Sequence, residues 1–231
     1  MIKTNSIIVT FGAIALLGSL LGSCTPDNKT SDTKNSPAAS TASTVPKIPD
    51  SKSVATVKPE SIPTNDARII KVKIDGLEPY KHPSGLFQID VPKGWKPTEN
   101  KKPNEVIVLW FDPTKNALLT VDVFKAPSET TPEQLTTLLE TFLKSTFGSR
   151  PKFVSEKPIQ QKDGSVQIVW SYDESIKTIT AKVQGNSFIS RNGDKISLIT
   201  TGGVADQIPA LKESFDRVVN SYKVDPTVVI P

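Results

Sequence analysis

One segment of the sequence restricts where a folded domain can lie. Residues 25–66 are dominated by Ser, Thr, Pro, Lys and Asp, contain no aromatic residue, and carry five lysines against five acidic residues. Such a composition cannot bury enough apolar surface to offset the entropy lost on ordering. We therefore expect residues 24–66 to be a disordered tether and residues 67–231 to form the folded domain.

The sequence before this segment has the organisation of a secretory signal. Lys3 precedes an apolar run over residues 7–21, which is short for a permanent helix across a hydrocarbon core of ~30 Å. Gly22 and Ser23 follow, directly before Cys24, the only cysteine of the chain. A basic start, a short apolar core and small residues at its end are typical of a cleaved signal. A single cysteine also excludes an internal disulfide and a cysteine-based zinc site.

The tetrapeptide at residues 21–24, Leu-Gly-Ser-Cys, resembles the lipobox of bacterial lipoproteins. The resemblance implies that the Cys24 thiol carries lipid, and that residues 1–23 are removed by cleavage between Ser23 and Cys24. An ordinary small hydrophobic cysteine is the alternative. Buried acyl carbons contribute ~0.8 kcal/mol each, so two or more chains anchor a protein stably. We therefore expect a palmitate-labelled protein that is bound to a bilayer through acylated Cys24.

Alternating apolar residues predict strands through much of the remaining chain. The predicted strand segments are residues 68–74, 85–95, 105–113, 116–127, 152–161, 165–173, 178–191 and 194–201. Asp163-Gly164 and Asn192-Gly193 separate such runs and predict hairpin turns. Hairpins imply antiparallel pairing, and the run at 105–113, which is apolar on both faces, implies a sheet covered on both sides.

Two segments have the period of a helix. In the first, Thr131 is the expected N-cap, Pro132 the first helical residue, and Gln134 completes a capping box. The second covers residues 206–222, with Asp206 as a candidate cap and Pro209 in the first turn. The order of elements predicts an α+β fold in which an antiparallel β-sheet is flanked by helices, an α-β-α sandwich.

Several motifs in residues 78–225 together resemble the PsbP family, whose superfamily includes DcrB-type bacterial lipoproteins and a eukaryotic Ran-binding nucleotide-release factor. The residues that match the family motifs are Gly85, Phe87, Pro92, Gly94, Trp95, Phe111, Asp112 and Pro113. The hairpin departs from the family's paired tyrosines with Val166, Trp170 and Tyr172, and the closing helix has Ser221-Tyr222 in place of Ser-Phe. The resemblance implies a PsbP-like domain in a bacterial lipoprotein of cyanobacterial type. It implies a location on the lumenal side of thylakoids or in the periplasm, with photosystem II as one candidate complex.

Few residues suggest chemistry of their own. The tryptophans are expected in the core, and His82, the only histidine, is expected at the surface of a loop. Lys93, Lys96, Lys101 and Lys102 lie close together in sequence. The ordinary interpretation is that these lysines belong to a solvated loop. The functional alternative is that they dock to an acidic protein face or to anionic head groups.

The sequence thus favours a non-enzymatic, lipid-anchored accessory protein that binds or helps to assemble a membrane protein complex, with photosystem II as one candidate. No catalytic motif, metal site or cofactor is predicted, and a net charge of +4 gives no reason to expect nucleic acid. A DcrB-like envelope lipoprotein, serving transport or envelope maintenance, is one alternative. An enzyme with a site built from loops is the other.

Overall fold

Two antiparallel sheets and two helices make up the described part of the chain. A computed structural model describes residues 69–127, 130–176 and 179–231. The elements, in chain order, are β1 (Leu77–Lys81), β2 (Phe87–Pro92), β3 (Lys96–Lys102), β4 (Glu105–Phe111), β5 (Ala117–Lys125), α1 (Pro132–Phe147), β6 (Val154–Ser155), β7 (Ile159–Gln160), β8 (Val166–Ile176), β9 (Ile179–Asn192), β10 (Lys195–Val204), α2 (Ile208–Ser221) and β11 (Lys223–Val224). The predicted signal peptide, lipidation site and tether lie outside these residues.

The larger sheet has the strand order β3-β4-β5-β10-β9-β8-β6, with β7 also paired to β8. The smaller sheet has the order β1-β2-β11. Every pairing between described strands is antiparallel. The prediction of an antiparallel α+β fold is therefore confirmed.

Each face of the larger sheet has its own hydrophobic core. On one face, α1 packs through Leu135, Leu139, Leu143 and Phe147 against buried side chains of β8, β9 and β10. On the other face, α2 and the smaller sheet pack on β4, β5 and β10. Burying one such side chain is worth about 1.5–3 kcal/mol, so both helices are fixed to the sheet by their apolar stripes. The predicted layers of helix, sheet and helix are present.

The smaller sheet was not expected from the sequence. Strand β2 was predicted, but it pairs with β1 and β11 instead of joining the larger sheet. The turn that follows it contains Gly94 with φ +79°, a left-handed conformation that glycine adopts without steric cost. This turn lets the chain leave one sheet and enter the other at β3.

Helix α1 begins as predicted. The Thr131 hydroxyl accepts a hydrogen bond from the Gln134 amide, and the Gln134 side chain accepts one from the Thr131 amide at 2.7 Å. These two bonds satisfy backbone donors that the first turn leaves without helical partners. Helix α2 begins differently, since its N-cap is Gln207 and a 3₁₀ turn over Ala205–Gln207 includes Asp206.

The strand predicted over residues 68–74 is wrong. Apart from a bridge at Ile69, residues 70–76 form no ladder, although Val72 and Ile74 pack against the core beneath α2. We call residues 69–76 the strap. Side chains hold its backbone: Gln207 Oε1 accepts from the Val72 amide at 2.7 Å, and the Ile70 carbonyl accepts from Asn116 Nδ2 at 2.8 Å. The alternating apolar residues of the strap therefore reflect their burial. The hydrogen bonds of its backbone are made to side chains distant in sequence, not to a neighbouring strand.

Two of the motif residues have clear structural roles. Buried Asp112 accepts hydrogen bonds from the amides of Asn116 and Ala117 at 2.5 and 2.7 Å, and so shapes the turn between β4 and β5. Trp170 is buried against α1, and its indole nitrogen donates to Ser187 Oγ at 3.0 Å. Trp95 and Trp110 are also buried, so the prediction of core tryptophans is confirmed.

The end of the chain packs onto the domain. Val228 and Ile230 lie against the core beneath α2, and the Asp225 amide donates to the Leu86 carbonyl at 2.8 Å. Buried Lys195 donates to the Pro226 carbonyl at 2.7 Å. Hydrophobic residues at the end of the sequence are therefore part of the fold.

Candidate functional site

The residues predicted to carry lipid fall outside the part of the chain that the structure describes. Ser23 and Cys24 precede its first described residue, Ile69. Lipidation at Cys24 and cleavage before it therefore stay predictions. Among the described residues, neither helix is long and apolar enough to cross a bilayer.

The four candidate docking lysines do not share one loop. Lys93 lies in the turn before β3, whereas Lys96, Lys101 and Lys102 belong to β3 itself, an edge strand. Since a strand rises about 3.3 Å per residue, Lys96 and Lys102 are about 20 Å apart. Lys102 also forms an ion pair with Glu105 at 3.3 Å. The assumption of a crowded loop is wrong, and docking through these lysines stays a prediction.

The sequence predicted that His82 lies at the surface of a loop, but in the structure it is buried. Its side chain is 1% exposed and its ring stacks on Phe87 with the ring centroids 5.1 Å apart. Nε2 lies 2.9 Å from Glu99 Oε1, and Nδ1 lies 2.7 Å from Ser84 Oγ. His82 thus ties the loop between β1 and β2 to the edge strand β3.

The hydrogen bonds of His82 define its tautomer. The Ser84 amide donates to Nδ1 at 3.3 Å, so Nδ1 is the nitrogen without a proton and Nε2–H points to Glu99. The Ser84 hydroxyl meets the same nitrogen within a turn of two residues, and it also accepts from the Leu86 amide at 3.3 Å. A local turn accounts for the contact between serine and histidine, so we assign the cluster a structural role.

Among the described residues, a groove of about 440 Å³ lies between α2 and the larger sheet. We call it the α2 groove. Strands β8, β9 and β10 contribute Gln167, Val169, Gln184, Gly185, Asn186, Phe188 and Thr201, and α2 contributes Ile208, Lys212, Phe215, Asp216, Val219 and Asn220. The groove therefore combines apolar side chains with four carboxamides.

Strand alternation places the carboxamides in this groove. In β9, the odd-numbered residues from Ile179 to Ile189 are buried, with Val183 and Ile189 in the core beneath α1, and the even-numbered ones face the other side of the sheet. Directly opposed residues share a face, and Asn186 lies opposite Val169 on β8 and Thr201 on β10. Asn186 thus sits in the middle of the sheet surface that forms the wall of the groove.

The oxygen of Asn186 is buried without a hydrogen bond. Asn186 Oδ1 has no partner among the described residues and is excluded from water by its neighbours. Most buried polar atoms in folded proteins are paired, and leaving one unpaired costs about 1–3 kcal/mol. Because its neighbours enclose it, Asn186 Oδ1 is not a contact point for a ligand in the groove.

Charge contributes little to the α2 groove. Its charged lining residues are Lys212 and Asp216, which form an ion pair one helical turn apart. Such exposed pairs contribute little stability, but this one leaves the groove without excess charge. The described residues contain no group of three or more His, Cys, Asp or Glu side chains placed to hold a metal ion.

Sequence analysis did not identify the α2 groove. Gln184 and Asn186 alternate with buried residues of β9, which in a sequence is the ordinary pattern of a solvent-facing side of a strand. The one available signal is the choice of carboxamides in place of charged residues at Gln167, Gln184 and Asn186. That signal has meaning only once α2 is known to lie beside them.

Comparison with known proteins concerns the fold. Neither a protein-family model nor a curated protein sequence matches the chain. The chain is similar to the solution structure of cyanobacterial PsbP from Synechocystis, with 20% identity over 67% of this chain and 95% of that chain and a TM-score of 0.47.

Two other solved structures are similar at lower identity. The Ran-binding protein Mog1p of Saccharomyces cerevisiae has 11% identity over 64% of this chain and 95% of that chain, with a TM-score of 0.47. LpqN of Mycobacterium tuberculosis, described as involved in cell envelope biogenesis, has 11% identity over 65% of this chain and 91% of that chain, with a TM-score of 0.36. All three TM-scores are below 0.5, so these likenesses carry no argument on family, ligands or partners.

Proposed function

We propose that the chain is a non-enzymatic accessory protein, held to a bilayer by lipid at Cys24, whose folded domain binds a membrane protein complex on the periplasmic or lumenal side. The α2 groove is the observation that carries the binding role. Its polar groups are chiefly carboxamides, which donate and accept hydrogen bonds but neither attack a substrate nor exchange protons near neutral pH. The groove is therefore built for recognition.

The anchor is supported by the sequence of residues 1–24, in which a signal-like run ends in the lipobox tetrapeptide. Treated as flexible coil, a tether of about 42 residues has a root-mean-square reach of ~35 Å. A domain held in this way can meet a complex that stands well above the membrane surface. The motifs shared with the PsbP family make photosystem II the first complex to examine, and an envelope transport or maintenance complex the second.

The anchor is tested by labelling cells with palmitate and separating membranes from soluble protein. The wild-type chain is expected to carry the label and to sediment with membranes, whereas Cys24→Ala should lose both properties. Ser23→Ala is the matched control, because it keeps a small residue before the cysteine and should remain acylated. Equal labelling of Cys24→Ala and the wild type would contradict the proposal.

The binding role is tested by crosslinking in native membranes followed by isolation of the acylated chain. We expect subunits of one membrane protein complex to be enriched in a stoichiometric amount, and their identity separates photosystem II from an envelope complex. Isolation of a protein that turns over a substrate and has no stable partner would reverse the assignment and favour an enzyme.

A further inference from the structure

We propose that the protein's own residues 61–66 occupy the α2 groove when no partner is bound, and that a partner which binds in the groove displaces them. The first half of this inference concerns the chain by itself, and the second half rests on the proposed function. Three features support it: the direction of the strap, the length of chain that precedes the strap, and the chemical match between groove and segment.

The strap runs across the ends of the strands of the larger sheet. At its last residue, the Gly76 carbonyl accepts from the amide of Lys93, in the turn before the edge strand β3, at 3.0 Å. Six residues earlier, the Ile70 carbonyl accepts from Asn116 Nδ2, between β4 and β5, at 2.8 Å and from Gln207 Nε2, after β10, at 3.2 Å. Followed towards its beginning, the strap therefore passes β3, β4, β5 and β10 in the order in which they lie in the sheet.

The next strand in this direction is β9, which forms one wall of the α2 groove. Gln184 of β9 lies opposite Gly203 at the end of β10, and both Gln184 and Ile208 line the groove. Ile208 immediately follows Gln207, which holds the strap by two hydrogen bonds. The chain that precedes the strap is thus directed to the end of the groove marked by Gln184 and Ile208, which we call its entrance.

The chain before the strap is long enough to fill the groove. From Gln184 at the entrance to Phe188, the last lining residue on β9, the distance is about 13 Å, because a strand rises about 3.3 Å per residue. Crossing from β10 to β9 adds about 5 Å. Ile62 lies seven residues before Ile69, and an extended chain of that length spans about 23 Å. Residues 61–66 can therefore reach from the entrance to Phe188.

The groove beyond its entrance has apolar side chains that the rest of the fold leaves partly exposed. Val169 and Phe188 are half-buried and are not part of either hydrophobic core of the described residues, and half-buried Val219 of α2 lines the groove with them. The segment has the sequence Ser-Ile-Pro-Thr-Asn-Asp, in which Ile62 and Pro63 are the apolar residues. Contact between these surfaces removes both from water, which is favourable, so we expect Ile62 to hold the segment in place.

The charge and the position of the segment also suit the groove. Lys212 and Asp216, the charged lining residues, are paired with each other, and the segment has a single charge, at Asp66. Only residues 67 and 68 separate the segment from the strap, so its effective concentration at the groove is on the order of millimolar and a weak contact suffices. Residues 25–60 remain as the tether, with a reach of ~33 Å, which still lets the domain stand off the membrane.

Disulfide trapping in the full-length Cys24→Ala chain tests the docking. This background contains no natural thiol, so the result does not depend on lipidation. The first pair is Ser61→Cys with Asn220→Cys, an exposed lining residue of α2, and the second is Ser53→Cys with Asn220→Cys. Ser53 is twice as many residues from Ile69 as Ser61 is, so a free coil predicts a rate difference of only about threefold. We expect the first pair to form its disulfide faster by on the order of tenfold or more.

Two further variants identify the contact. Ile62→Asp, added to the first pair, should lower its rate to within about threefold of the second pair, because a carboxylate is unfavourable against Phe188 and Val219. Ile48→Asp is the matched control, because Ile48 also precedes a proline, Pro49, but lies outside the segment. It should leave the rate unchanged. A difference of only about threefold between the two pairs, or a rate that Ile62→Asp does not lower, would overturn the inference.

Displacement is tested on the acylated protein that carries the first pair. After crosslinking in native membranes, the oxidised form should retrieve on the order of tenfold less of the membrane complex than the reduced form, since the bound segment cannot leave. Equal retrieval would refute displacement. If the wild type retrieves no complex, the accessory role fails, and the disulfide rates still decide whether the segment lies in the groove. If the wild type retrieves a complex but Ile62→Asp does not change the rates, the accessory role stands and this inference fails.

Discussion

The indole ring of Trp170 lies directly over Gly185, its partner on the neighbouring strand. A Cβ atom at residue 185 would be 2.1 Å from Trp170 Cζ2. The indole ring is held in this position on two sides. Phe147 stacks on it with the ring centroids 4.2 Å apart, and the indole nitrogen donates a hydrogen bond to Ser187 Oγ. Glycine at this position is therefore a requirement of packing between α1 and the sheet.

Replacing Gly185 with alanine should strongly destabilise the protein. Overpacking in a rigid core costs about 1–3 kcal/mol and occasionally more, and the short distance to the indole favours a loss of about 3 kcal/mol in the free energy of unfolding. Urea denaturation measures this loss. In a Trp170→Leu background the same glycine change should cost much less, and equal costs in both backgrounds would show that the indole is not responsible.

Stability should depend on pH through Asp122. Burial raises the pKa of the Asp122 carboxyl well above its usual value, and the negative charge of Glu105 raises it further while Lys102 opposes the rise. The folded protein therefore binds this proton more tightly than the unfolded chain does. As a result, Asp122 lowers stability as pH rises from the unfolded pKa through the folded one.

Asp122→Asn should consequently raise the melting temperature at pH 7–8, and the gain should shrink towards zero near pH 4 and below. Asp163→Asn is a control of opposite sign, because hydrogen bonds from Ser165 lower the pKa of the Asp163 carboxyl. That substitution should reduce stability at neutral pH and have no effect well below the folded pKa. A gain from Asp122→Asn that did not vary with pH would contradict the assignment.

Gln207→Ala should release the strap without unfolding the domain. The change removes the acceptor of the Val72 amide and one donor to the Ile70 carbonyl. Hydrogen exchange at Val72 should accelerate at least tenfold, while the amides of β5 and β10 keep their protection. Gln88→Ala, an exposed change on the smaller sheet, should leave exchange at Val72 as it is in the wild type.

Thr131→Ala tests the start of α1. Loss of an N-cap side chain typically costs about 1 kcal/mol, and we expect that reduction in the free energy of unfolding. Thr137→Ala is a matched control within the same helix, because the Thr137 hydroxyl bonds only to the Glu133 carbonyl one turn earlier. Alanine is the better helix former, so this second change should be neutral or stabilising. Equal losses from both changes would exclude a capping effect.

Local features were predictable from the sequence because their causes lie within a few residues. The capping box of Thr131 and Gln134 and the hairpin turn after β9 are set by neighbouring groups, and both are present in the structure. The turn lies one residue later than predicted, at Gly193-Asp194, because Asn192 pairs with Lys195. The strap was mistaken for a strand because the alternation of Val72 and Ile74 reflects burial alone. Its actual partners, Asn116 and Gln207, are 46 and 135 residues away from the atoms they bind.

The candidate site could not be predicted from the sequence for a related reason. His82 is buried because Phe87 stacks on it and Glu99 contacts it from β3. No sequence pattern predicts the contact between His82 and Glu99. Asn186 becomes a lining residue of the α2 groove because α2 closes one side of its strand face. In both cases the surroundings of a residue are set by an element distant in sequence, and the hydrophobic periodicity of the residue's own segment does not reveal that element.

Both margins of the larger sheet are poor templates for another strand. On β3, Pro97 lacks a backbone N–H opposite Trp110, and lysines stand at both ends of the strand; at the far margin, β6 and β7 have two residues each. Such edges discourage pairing between chains. We accordingly expect strand-to-strand association between copies of this domain to be disfavoured even at high local density.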